Sequence, residues 1–190
     1  MKQQIFKLLV LVLFLLLSFR SWAQDIPFVP SPMVVVDRML EMAEVKNDDV
    51  IYDLGSGDGR ILIRAAKKYG ARGIGIDLNP ELVKKATLNA AEENVSHLVQ
   101  FRAADGLTVD ISEATVVTLY MFKWFNNQMR PKLQSLRPGA RVVAHDFDID
   151  EWPPLKTESV EPSSDPTGEL THTRTLFLWK VGQMAQMPQP

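Results

Sequence analysis

"DVIYDLGSGDGRIL", residues 49–62, runs an apolar stretch, Val50 to Leu54, into three alternate glycines, Gly55, Gly57 and Gly59, and then into the segment after Arg60. An apolar run closed by glycines and followed by "RILIRAAKKYG" predicts a buried strand, a tight loop and a helix ended by Gly70. Beyond Gly70, "ARGIGIDL", "VQFRAAD" and "ATVVTLYM" read as strands and "PELVKKATLNAAEEN" as a helix. Strand and helix therefore alternate, and strands apolar along their whole length are covered on both faces. That pattern predicts an α/β fold of parallel βαβ units. Upstream, Ser31 is the expected N-cap and Pro32 the first helical residue of "MVVVDRMLEMAEV", where Val35, Val36, Met39, Leu40 and Ala43 recur at helical spacing. Downstream come a helix, "NNQMRPKLQSL", a strand, "RPGARVVAHDF", turns around a short strand, "KTESV", and a last edge strand, "THTRTLFLWKV". The whole predicts a doubly wound, mostly parallel, seven-stranded Rossmann-like sheet with an antiparallel last strand.

The 190 residues, 46% hydrophobic and 23% charged, suit one globular domain with a sizeable core. A net charge of −2 gives no footprint for nucleic acid, and without cysteine there is no disulfide, thiolate metal site or cysteine nucleophile. No metal site is expected. At the N-terminus, Lys2 and Lys7 precede an apolar run from Leu8 to Leu17 and the small-residue pattern Ser21-Trp22-Ala23. This is the layout of a secretory signal peptide cut after Ala23, or of an uncleaved membrane anchor. Either reading puts the remainder outside the cytoplasm, exported to the periplasm or membrane-anchored. Residues 24–182 are then the folded domain and 183–190 a disordered tail.

A glycine loop before a helix lets backbone approach a ligand, with the helix N-terminus offering amides and a positive dipole end. The ligand could be a dinucleotide, a phosphate or S-adenosylmethionine, or the loop could be only a turn. Dinucleotide binding uses GxGxxG, whereas Gly55, Gly57 and Gly59 make GxGxG, and no GKS or GKT follows as a Walker loop needs. "VIYDLGSGDGR" instead resembles the first motif of class I S-adenosylmethionine-dependent methyltransferases, an acidic residue leading into GxGxG. The resemblance continues in "GIGIDLNP" and "FRAADGL". It implies S-adenosylmethionine as cofactor, held by Asp53, Gly55, Ser56, Gly57 and Gly59, with Asp77 on the ribose hydroxyls. Leu78 would then pack on the adenine face, with Ala104 beside the ring and Asp105 taking the adenine amino group. "PFVPSP", "DLGSGDGRI" and "LNPELV" resemble, more closely, the ATP synthase c-subunit lysine N-methyltransferase family and its bacterial relatives, covering Pro27 to Val83 in detail.

Methyl transfer from a sulfonium asks the protein for proximity, alignment and exclusion of water. An amine acceptor must arrive neutral, although a free lysine has a pKa of about 10.4. Tyr120, ending the fourth strand, is the positional candidate for orienting an acceptor, because ligands gather at these strand ends. Each choice has a plainer reading: Asp53 as a loop cap, Asp77 as a surface charge, Asp105 as a turn residue, Tyr120 as packing. His145 and Asp146 are expected to be structural, since adjacent strand residues point to opposite faces. Trp179 is expected in the core, and "EWPP" in a turn. The acceptor, a protein lysine or a small molecule, is left open. Alternatives are an exported, non-catalytic binding protein that keeps the fold, because the methyl donor is made in the cytoplasm, and a Rossmann oxidoreductase. The "DIPFVPSP" arm is expected to cover the cofactor.

Overall fold

The fold is built around β1 (Val50–Leu54), whose residues after Val50 are all buried. In this computed structural model residues 28–183 are described, so the expectations for the N-terminal segment, and for the tail beyond Gln183, lie outside them. β1 pairs in parallel with β2 (Arg72–Asp77) on one side and with β4 (Val116–Leu119) on the other. β3 (Val99–Ala103) extends the sheet beyond β2, and β5 (Arg141–His145) beyond β4. β7 (Arg174–Lys180) runs antiparallel to β5, and β6 (Lys156–Val160) antiparallel to β7. The order is β3-β2-β1-β4-β5-β7-β6, a seven-stranded, mostly parallel sheet.

Alternate strand residues feed two cores. Ile51, Val116 and Val143 pack with α1 (Met33–Met42), α2 (Arg60–Tyr69) and Ala90 of α3 (Pro80–Glu92). Tyr52, Val117 and Val142 face the other way, onto Phe125, Met129 and Leu133 of α4 (Lys123–Gln134). Period-two strands between apolar helix stripes explain why both faces are covered. The chain leaves β1 toward β2 on one side and later returns to β4 on the other. This reversal opens a crevice at the carboxyl ends of β1 and β4, where ligands of such sheets bind.

Three expectations are corrected. Ser31 does not cap α1: Pro32 holds the N-cap position, its carbonyl taking the Val35 and Val36 amides, and no side chain caps the helix. The Ser31 hydroxyl is used elsewhere, as described below. "THTRTLFLWKV" is not an edge strand, because "KTESV" as β6 lies outside it and takes the edge. α4 begins at Lys123, ahead of Asn126, because the Phe122 carbonyl takes the Phe125 and Asn126 amides while Phe125 fills the core. Trp179 is buried as expected and donates from Nε1 to the Trp152 carbonyl at 2.6 Å, which anchors the "EWPP" turn.

Candidate active site

The glycine loop leaves β1 with the Gly55 and Ser56 amides both bonded to the Ile76 carbonyl of β2, so the loop is strapped to its neighbouring strand. Gly57 has φ +53° and its amide donates to Asp77 Oδ2 at 2.9 Å. Gly59, at φ +81°, is the left-handed N-cap of α2, and a β-carbon there would press on Phe101 and Ala86. Both positions favour glycine on conformation and on space. Asp77 Oδ1 accepts the Asn79 amide at 2.9 Å. Each of its oxygens thus keeps a lone pair at the crevice, and Leu78 beside it is 68% exposed. Ser56 turns its hydroxyl toward Gly75, inside the sheet, where it has no partner among the described residues.

Asp53 is fully buried, and its Oδ1 accepts the Thr118 hydroxyl of β4 at 2.6 Å. Its Oδ2 has no partner among the described residues, so it is not a loop cap. Burial pushes its carboxyl up to about 7, against the Thr118 hydrogen bond and with help from the Asp77 and Asp58 charges. Asp105 lies at the end of β3, next to half-buried Ala104, and Oδ1 accepts the Leu107 amide at 2.9 Å. It therefore closes its own turn and has Oδ2 left over.

Two side chains missing from the sequence reading as partners of the loop lie directly on it. A β-carbon on Gly57 would collide with the Phe28 ring, and one on Gly55 with Met121 Sδ. Phe28 belongs to the arm before α1, and Lys85 Nζ sits 5.7 Å from its ring centroid. The arm is tied down by Arg60, which donates to the Ser31 carbonyl at 2.9 Å and pairs with Asp58 through two nitrogens. The only sequence signal was the proline-rich run itself; nothing local says that Phe28 meets Gly57.

Across the crevice, Tyr120 is half-buried, and burial pushes its phenol up, so the hydroxyl stays neutral near pH 7. Its ring stacks on His145 with centroids 3.9 Å apart, and Phe147 lies 6.4 Å away. Phe122 packs edge-on to Phe147 at 5.7 Å, completing an aromatic wall at the ends of β4 and β5. His145 and Asp146 do not diverge as strand neighbours would: Asp146 takes φ +61°, and His145 Nε2 lies 3.5 Å from Asp146 Oδ2. Asp146 is held by Arg174 at 2.8 Å and by the Thr175 amide at 3.0 Å. Among the described residues no group of three or more His, Cys, Asp or Glu could hold a metal.

A sheet of this order, with an acidic residue leading into GxGxG at its switch point and a second carboxylate ending β2, defines an S-adenosylmethionine-dependent methyltransferase. Residues 53–156 match the family model described as the ANTKMT methyltransferase domain, and the chain belongs to that family. It is 40% identical to a protein-lysine N-methyltransferase of Saccharolobus islandicus over 165 residues, 86% of this chain and 98% of that one. The human lysine N-methyltransferase of the ATP synthase c-subunit is 34% identical over 68% of this chain, which spans 55% of that longer protein. Among solved structures, an RNA methyltransferase of Salinibacter ruber in complex with S-adenosyl-L-homocysteine is 50% identical. It has a TM-score of 0.72 and covers 85% of this chain and 98% of its own. The cofactor is accordingly S-adenosylmethionine, and the oxidoreductase reading falls away.

Proposed function

We propose that this protein transfers a methyl group from S-adenosylmethionine to a lysine side chain of a protein. The observation that carries this reading is the aromatic wall of Tyr120, Phe122 and Phe147 beside the glycine loop, in a chain 40% identical to a protein-lysine methyltransferase. Asp77 would hold the ribose hydroxyls through its free lone pairs, since a carboxylate accepts two hydrogen bonds at once. Leu78, 68% exposed, would cover the adenine face, with Ala104 at the ring edge and the spare oxygen of Asp105 on the amino group. The unpartnered Asp53 Oδ2 would meet the cofactor's ammonium end, with Gly55, Ser56, Gly57 and Gly59 shaping the backbone beneath it.

When bound, the cofactor supplies an electrophilic methyl with a neutral leaving group. The chain's own residues then orient and dry the acceptor. Aromatic faces attract a lysine ammonium, and their low polarity favours the neutral amine that can react. The Tyr120 hydroxyl, neutral and half-exposed, can accept a hydrogen bond from that amine and aim its lone pair.

A second reading, an RNA acceptor, is favoured by the likeness to the Salinibacter ruber RNA methyltransferase and disfavoured by the net charge of −2. Tritiated S-adenosylmethionine and cell extract separate them. Label in protein, recovered as methyllysine, is expected. Label destroyed by ribonuclease would assign the RNA reading. Absence of label, with S-adenosylhomocysteine still bound, would leave the exported, non-catalytic binding protein. The sequence of residues 1–23 supports a domain exported or anchored by its N-terminal segment, and fractionation with protease access tests that.

A further inference from the structure

His145 is a polar ring with no exposure in the middle of a hydrophobic sheet end, reached from 114 residues away by the Ser31 hydroxyl at 2.9 Å from Nδ1. Its Nε2 makes no hydrogen bond among the described residues, with Asp146 Oδ2 3.5 Å away. Core packing alone does not ask for such a residue, because an unsatisfied buried polar atom costs stability that an apolar ring would not. The backbone beside it is also under load. Asp146 is a non-glycine residue at φ +61°, and the Phe147 amide turns back to the His145 carbonyl at 2.8 Å. Strain of this kind persists only where its surroundings enforce it, and here Arg174 and Thr175 do so through the Asp146 carboxylate. Asn126 adds a fixed point, donating to the Phe147 carbonyl at 2.8 Å. These fixed points hold the backbone beside the imidazole, whose face lies on the ring of Tyr120.

We propose that His145 is a positioning residue for the acceptor: gripped by Ser31 and stacked on Tyr120, it sets the Tyr120 ring, and thereby links the acceptor side to the arm lying on the glycine loop. The assignment of Tyr120 to the acceptor rests on the function proposed above; the linkage itself does not. Ser31 and Phe28 belong to one short segment, so the segment that covers Gly57 is the one that seats the imidazole. Burial, aided by the Arg174 charge and opposed by Asp146, pushes the imidazole down to about 4, so the ring stays neutral while it holds Ser31. The acceptor side reaches its working geometry only while the arm is seated.

The test compares Ser31→Ala, Ser31→Thr and His145→Phe with the wild type. S-adenosylhomocysteine affinity is read by calorimetry, and kcat and KM with tritiated S-adenosylmethionine and poly-L-lysine as probe. Ser31→Ala and His145→Phe should lower kcat about ten- to a hundredfold, as a misaligned reactive group does, while affinity stays within about twofold. Ser31→Thr, which keeps the hydroxyl, should restore kcat. Unchanged kcat in Ser31→Ala, or kcat and affinity falling together, overturns the proposal. A wild type silent on poly-L-lysine counts against the lysine reading, and the linkage is then read by NMR. Ser31→Ala should shift the His145 imidazole signals and the Tyr120 ring signals together, and unmoved Tyr120 signals overturn it.

Discussion

Asp77 and Asp53 are both acidic residues at strand ends, yet they should respond to substitution in opposite ways. Asp77 is partly exposed and already serves Gly57 and Asn79, so Asp77→Ala should fold and lose cofactor. A lost charged acceptor costs about 1.5–3 kcal/mol, or roughly ten- to a hundredfold in S-adenosylmethionine affinity by calorimetry. Asp53 is fully buried with its carboxyl raised to about 7, so the folded state binds its proton more tightly than the unfolded chain does. Stability is then lost as pH rises toward 7 and regained as pH falls through it. Asp53→Asn, which cannot ionise, should melt higher than the wild type at pH 8, by an amount on the order of a few kcal/mol in stability, and the gap should narrow as pH falls and close only near the unfolded carboxylate value, about 4. Parallel melting curves across that range would refute the buried-acid assignment. Asp77 and the glycines were legible as candidates because their spacing follows the strand–loop–strand order, and the structure brings Asp77 onto the Gly57 amide. Phe28 and Met121 were not, since each meets the loop across a separation no local pattern encodes.

The placement of β7 was the least legible feature of the fold. "TLFLW" reads as a strand from its β-branched and aromatic content, but which strand ends the sheet depends on where "KTESV" docks. β6 is mostly exposed and polar, as an edge strand can be, and it leaves β7 to be buried through Leu176 and Trp179. Trp179→Ala should therefore cost about 3–5 kcal/mol in urea unfolding, the range of a deleted core aromatic, and a cost of a few tenths would place β7 at the rim. The prolines of the arm marked it as chain outside the helix, and its described part, residues 28–32, carries no helix or strand, while its contacts were not legible. Deleting residues 25–32 removes the Phe28 cover, the Ser31 carbonyl held by Arg60 and the Ser31 hydroxyl on His145. Cofactor affinity should fall, and unchanged affinity by calorimetry would show that the arm is only a tether.

Donor side and acceptor side meet at one end of the sheet, while at the other Asp49 joins three strands. It accepts the Thr115 hydroxyl and the Lys46 amide and pairs with Arg141. Burial works against its charge, but these partners win and hold its carboxyl below the usual carboxylate range. Its contribution is present above the unfolded carboxylate value, about 3.9, and lost as pH falls through the lower folded value. With Asp53 acting in the other direction up to about 7, the cofactor-free protein should be most stable in mildly acidic solution, and Asp49→Asn should lessen the drop on the acid side, to which Glu158, Asp37 and Asp58, also held low by their cations, contribute as well. The alternation that fixes this sheet is written in the apolar runs, and so were its parallel strands and two cores. The pairing of its ends was not, because Asp49 with Arg141, like Ser31 with His145, is a contact made only once the whole sheet has assembled. Phe28, on the glycine loop, is eleven residues beyond Leu17, where the N-terminal apolar run ends. Eleven extended residues reach at most about 40 Å. On the proposal that this segment is a membrane anchor, the mouth of the site would hang on a leash about as long as the whole bilayer is thick, which would bring lysines near the membrane surface within its reach.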